Sequence, residues 1–256
     1  MKLTWIDLNS WIIKISNQTI LLDPWLVDPL VFSGQPWLFT AYHQKPPAFT
    51  PSSLPPLDCI LISQGVDDHC HLPTLALLDR DIPVIVSPTA AKRVKTLGYK
   101  TVISLSHWQE YRLNDTLKII AIPGATIQPG QEENGYLLQD LTTGKTLYYE
   151  PHLSPLTKIK EKVDRVDVTI APIIGQIFPF LGQLIMGSKE ALNLVETLKP
   201  KYFLPTTLGE IRASGILPKL IRPVGSIEEF REGLKKSGLS TEFFTPQPGE
   251  TVELKL

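Results

Sequence analysis

A short apolar run, Cys59-Ile60-Leu61-Ile62, breaks off abruptly into Ser63-Gln64-Gly65-Val66-Asp67-Asp68-His69-Cys70-His71. Four β-prone residues suit a buried strand, and Leu72-Pro73 followed by residues 74–78 opens a helix with proline in its first turn. The polar knot therefore sits on a strand-to-helix loop. Loops at the carboxyl ends of buried strands are where rigid scaffolds carry chemistry. Carboxylates beside imidazoles suit metal ligation or acid–base work.

The stretch from Ser63 to His69 resembles, position by position, the strand-ending serine and His-x-His-x-Asp-His run that mark the metallo-β-lactamase superfamily. Asp68 and His69 match the Asp-His pair that serves one metal of that family's two-metal centre. Gln64 and Val66 stand where the two leading histidines belong. Valine ligates nothing, and a neutral amide is a poor zinc ligand beside imidazole. A second segment, Leu21-Leu22-Asp23-Pro24-Trp25, is similar to a strand ending in the lactonase-like branch of the same superfamily.

The resemblance implies an α+β fold, a four-layer αββα sandwich spanning residues 1–256 as one domain, with the site at one edge between two sheets. It also places a third histidine near Thr126, a metal-bridging aspartate at Glu150 and a last histidine near Thr207. Only Glu150 keeps an acid there, and His152 adds an imidazole that the ordinary pattern lacks. The expected chemical group is therefore Asp68, His69, Glu150 and His152. These four are also the ligands of one zinc or other divalent ion, with no metal as the alternative. Gln64, Trp37, Asn134, Phe178 and Phe180 are expected on the substrate side.

Composition narrows the function classes. With 43% hydrophobic and 20% charged residues and a net charge of −1, the chain gives no electrostatic reason to expect a nucleic-acid partner. Its two cysteines, Cys59 and Cys70, form no disulfide framework, which favours a reducing cytoplasm. Met1-Lys2-Leu3-Thr4-Trp5 does not have the shape of a signal peptide. Residues 168–188 carry no charge, but Pro172, Gly175, Pro179 and Gly182 interrupt any helix. A strand over 166–171 running into an apolar loop is expected there rather than a membrane span.

Along the chain, residues 5–8, 11–15 and 19–22 read as a β-meander. Residues 28–56 are rich in proline and scattered aromatics without a period, and are expected to be a long irregular segment, either pinned to the surface or covering a substrate. Strands are expected at 83–87, 102–105, 117–122, 136–139, 146–149, 202–205, 242–244 and 252–256, the last two at a sheet edge. Ser87 and Pro88 start a helix that Gly98 closes. Ser188 is expected to cap a helix to Leu198, and Ser226 with Glu229 forms a capping box for a helix to Lys236.

Three functions stay open: a metal-dependent hydrolase of an ester, lactone or phosphoester; a metal-free pseudoenzyme binding a hydrophobic small molecule or a partner protein through Phe32, Trp37, Ile177, Phe178 and Phe180; and metal-free acid–base catalysis. A peripheral membrane contact is compatible with the apolar loops. Each residue also has a bland role. Asp68 can hold its loop, His69 can be a hydrogen-bonded structural histidine, His71 exposed or a cap, and Glu150 with His152 an ion pair. Asp67 and Cys70 read as structural, and His43 and His107 have no motif around them.

Overall fold

The computed structural model describes residues 1–126, 131 and 133–256; Glu132, which precedes the strand carrying Asn134, lies outside them. The chain divides into two compact units. The first comprises Met1–Ser106, Gly209–Leu220 and Pro246–Lys255; the second comprises His107–Leu208 and Ile221–Thr245 with Leu256.

The first unit is built on a seven-stranded sheet in the order Thr251–Glu253, Lys2–Asp7, Ser10–Ile15, Gln18–Leu22, Cys59–Ile62, Val84–Val86, Val102–Ser104. The opening meander is antiparallel, and from Gln18–Leu22 onward the strands run parallel. Parallel neighbours need crossovers, and the short helices Leu72–Leu75 and Pro88–Val94 supply two of them. Their apolar sides pack on Ile60, Ile62, Val84 and Val86 through Leu75, Ala90, Ala91 and Val94. Ser87 caps the second helix and Gly98, at φ 79°, ends the turn that follows it, as expected.

The second unit has its own seven-stranded sheet, ordered Glu242–Phe243, Tyr202–Pro205, Val168–Ala171, Thr146–Tyr149, Asn134–Asp140, Leu117–Pro123, Glu110–Arg112. Helices Ser188–Leu198 and Ile227–Ser237 cover it through Phe203, Phe230, Leu194 and Leu198. Phe203 and Phe230 meet at 4.7 Å between ring centres. Both terminal strands, Thr251–Glu253 and Glu242–Phe243, lie at sheet edges as expected.

Three local expectations are corrected. Residues after Val168–Ala171 are not a loop but a hairpin, Gly175–Phe178 with Gly182–Ile185, extended to a three-stranded sheet by Arg222–Val224. Its turn uses positive φ at Phe180 and Gly182. The segment 28–56 is not wholly irregular, because Thr40–His43 pairs with Leu30–Val31 on one side and with Ile211–Ser214 on the other. Finally, the cap of Ser188–Leu198 is Gly187, whose N–H donates to Glu190 Oε2 at 3.0 Å. Ser188 Oγ is drawn away to the carbonyl oxygens of Ile173 (3.1 Å) and Ser226 (3.0 Å). The helix from Ser226 keeps its cap, with Glu229 N–H donating to Ser226 Oγ at 3.0 Å. Among the described residues no helix is long and apolar enough to cross a membrane.

Candidate functional site

In the first unit the parallel register puts two strand ends side by side. Leu22 pairs with Leu61, so Asp23 and Ser63 leave the sheet as neighbours, with Asp23 N–H donating to Leu61 O at 3.0 Å. Ser63 donates to the Asp23 carboxylate twice, from its N–H at 2.7 Å and from its hydroxyl. Six residues on, the loop brings His69 back over the same acid, and Nδ1 lies 2.8 Å from Asp23 Oδ2. On the other side of the ring, Nε2 lies 3.3 Å from Asp68 Oδ2 and 3.4 Å from Asn9 Nδ2. His69 and Asp23 are wholly buried.

A buried imidazole flanked by two carboxylates is a cation. Burial alone would pull the His69 pKa down, but Asp68 and Asp23, both close and hydrogen-bonded, hold it up at about 10. In that state neither ring nitrogen offers a lone pair, so His69 is no general base at neutral pH.

The loop itself is held by its remaining residues. Asp67 receives the Arg93 guanidinium at Oδ1 and the Ser33 N–H at 2.8 Å, while Arg93 also donates to Gly65 O at 2.6 Å. Asp67 thus ties residues 32–34 to the motif, in the structural role expected. Gly65 lies so close to Thr89 that a Cβ would fall 2.8 Å from its side chain. His71 is buried rather than exposed and acts as a cap: Nδ1 accepts from Thr74 N–H at 3.3 Å, and Nε2 donates to Pro29 O at 3.2 Å. Burial lowers its pKa, which keeps this neutral form. Gln64 is fully buried at the strand end. Trp37 is 61% exposed, although its neighbours Phe32 and Phe39 stack at 4.4 Å in a small cluster around Trp25.

In the second unit Glu150 follows strand Thr146–Tyr149 and is fully buried, and its Oε1 accepts the His152 N–H at 2.9 Å. His152 is nearly buried too. Thr207, where the resemblance expects a histidine, adopts φ 59° and donates its hydroxyl to Pro151 O at 3.1 Å. It therefore fastens the Glu150-Pro151-His152 turn to the strand end at Tyr202–Pro205. Burial, reinforced by Glu150, raises the Tyr148 pKa well above its usual value, and its hydroxyl pairs with Ser154 Oγ at 3.0 Å. Asn134 is buried, with Nδ2 donating to Tyr136 Oη at 3.4 Å. Phe178 is partly buried, whereas Phe180 stands fully exposed at the hairpin tip.

The first unit joins the Asp68 carboxylate to the His69 ring, whereas in the second the Glu150 carboxylate takes the His152 backbone N–H. Asp23, Asn9 and Ser63 escaped sequence reasoning as partners of His69. The only signal was an acid at the end of a strand destined to lie beside the motif strand. Among the described residues, no three His, Cys, Asp or Glu side chains stand close enough together to hold a metal ion.

Residues 2–207 match the model of the beta-lactamase superfamily domain. The chain belongs to that superfamily. The zebrafish (Danio rerio) cytidine monophosphate-N-acetylneuraminic acid hydroxylase is 26% identical over 288 aligned positions, covering 98% of this chain and 46% of that protein. The chain therefore spans less than half the length of this curated relative. Among solved structures, the isothiocyanate hydrolase from Delia radicum gut bacteria superposes with a TM-score of 0.74 at 16% identity over 99% of both chains. CmlA, a diiron β-hydroxylase from Streptomyces venezuelae, gives 0.67 at 18% identity over 99% of this chain and 54% of its own. These likenesses establish the metallo-β-lactamase fold; at such identities they carry no activity across.

Proposed function

We propose that this superfamily member works without the family's two-metal centre and that its function is ligand recognition rather than metal-assisted hydrolysis. The observation that carries the reading is His69, the one motif imidazole left, buried with its ring nitrogens engaged by Asp23 and Asp68. Gln64 and Val66 replace the two leading ligands, and no histidine stands near Thr126 or Thr207, where the family places two more. The donor set does not fit two metals, each of which needs several His or carboxylate ligands with an open position for water. The recognition surfaces are the exposed aromatic and aliphatic groups, Trp37 in one unit and Phe180 with Leu181 in the other, which suit a hydrophobic small molecule or a partner protein.

A second reading keeps one divalent ion on the Asp68-His69 pair and makes the protein a hydrolase of an ester, lactone or phosphoester. It is favoured by the Asp23 contact to His69 Nδ1, the arrangement that in metal sites aims the other ring nitrogen at an ion. Assay of lactone, carboxylic-ester and phosphodiester substrates, with zinc, iron and manganese each added in turn, separates the two. Recognition without hydrolysis predicts no turnover above the Asp68→Ala variant. Metal-stimulated turnover that Asp68→Ala abolishes would replace the first reading with the second.

A further inference from the structure

Within the first unit, Phe39 and Leu217 pack into the small cluster around Trp25, and their chain neighbours are left in solvent. Trp37 is 61% exposed, Ile216 and Leu220 are 50% exposed each, and Tyr42 is exposed as well. Two segments carry these groups and are held together by their backbones. Ile216 N–H donates to Trp37 O and Leu217 N–H to Leu38 O, both at 3.0 Å, and Ile211–Ser214 pairs with Thr40–His43. Gly215, at φ 109°, permits the approach, because a Cβ there would fall 2.5 Å from Leu38 O. The exposed side chains therefore ride on hydrogen-bonded backbone and form one apolar face.

Charge decides what such a face can meet. Neither 29–57 nor 211–220 contains an aspartate or a glutamate. The acids at their margins are already engaged, Asp28 by His43 at 2.7 Å and Glu210 by Lys45 at 2.6 Å. Arg212 and Lys219 are exposed and, among the described residues, stand in no ion pair; the Arg212 guanidinium lies over the Tyr42 ring at 5.6 Å. Exposed indole and aliphatic groups beside uncompensated cations match a membrane–water interface, where tryptophan sits at headgroup level and lysine or arginine meets anionic lipid. A hydrophobic small molecule calls instead for a concave site that buries most of its surface, and these groups stand out in solvent.

We propose that this face docks reversibly on an anionic lipid surface, with Trp37, Ile216 and Leu220 in the headgroup layer and Arg212 and Lys219 on lipid phosphates. The docking rests on the recognition reading above in one respect, that Trp37 belongs to a binding surface.

The full chain is sedimented with vesicles of phosphatidylcholine alone and of phosphatidylcholine in which one lipid in three is phosphatidylglycerol, at low and at high salt. The expected result is saturable binding to the mixed vesicles, weakened by salt, and far less to phosphatidylcholine alone. Arg212→Gln together with Lys219→Gln should weaken it about 25-fold, roughly fivefold for each cation, and Trp37→Ala at least about tenfold. All three side chains are exposed, so both variants should keep the fold. Equal binding to the two vesicle types, no binding to the mixed ones, unchanged affinity in either variant, or self-association in place of vesicle binding would overturn the proposal. Anilinonaphthalene sulfonate separates this failure from that of the recognition reading. Dye fluorescence that Trp37→Ala lowers, without vesicle binding, would remove the lipid and leave Trp37 on a recognition surface; dye and vesicle binding both indifferent to Trp37→Ala would remove both.

Discussion

The His69 clamp makes the strongest quantitative demand on stability. Asp23 takes three hydrogen bonds, two from Ser63 and one from His69, all in a fully buried setting. Asp23→Ala leaves a buried imidazolium with Asp68 alone and removes the acceptor of a buried N–H. Breaking one side of such a pair costs about 3–5 kcal/mol. For a chain of this length that is a loss of roughly 6–20 °C in Tm, read by calorimetry or circular dichroism. Asp23→Asn keeps the shape and an acceptor for Ser63, so its loss is smaller and comes mainly from the charge.

The pH dependence has a definite sign. His69 holds its proton up to about pH 10 in the fold, against 6.5 for an ordinary histidine. Stability from the charged pair is therefore fully present below pH 6.5 and is lost as pH climbs through 10. The gap between wild type and Asp23→Asn should narrow steadily across that window. An Asp23→Ala chain that melts within about 2 °C of wild type, or a gap that does not change with pH, would refute the ion-pair reasoning.

Gly135→Ala should lower the denaturant midpoint by the equivalent of about 1–3 kcal/mol, because its Cβ would stand 2.8 Å from the Tyr149 carbonyl oxygen and 3.1 Å from Glu150 Oε2; a silent substitution would mean that this strand pairing is looser than described. Phe180→Ser should leave stability within about 0.5 kcal/mol, since the ring buries nothing, and should weaken binding of an environment-sensitive dye; unchanged fluorescence would remove the hairpin tip from the recognition surface.

Much of the fold was legible because local chemistry and topology agree. Ser87-Pro88 with Gly98, and Ser226 with Glu229, gave helix ends their own hydrogen-bond partners. The strand expected at 146–149 is found at Thr146–Tyr149. The hairpin of 175–185 was not legible, because glycine and proline mask its alternation and its third partner, Arg222–Val224, lies nearly forty residues on. The site was half legible for a related reason. Asp68, His69, Glu150 and His152 came to attention through the resemblance to the family's motif. The acid that clamps His69, however, is 46 residues away in sequence. His43 had no neighbouring motif because its partners Trp25, Asp28 and Asp7 come from other turns of the chain. Contacts made by parallel register and long loop closure leave no local pattern to read.

The central claim, that the two-metal centre is gone, is tested most directly by elemental mass spectrometry of untagged protein, as purified and after chelation followed by reloading with zinc or iron. The account predicts no stoichiometric metal under any loading condition, and the same result for Asp68→Ala. About one or two ions per chain in the wild type, lost in Asp68→Ala, would contradict it.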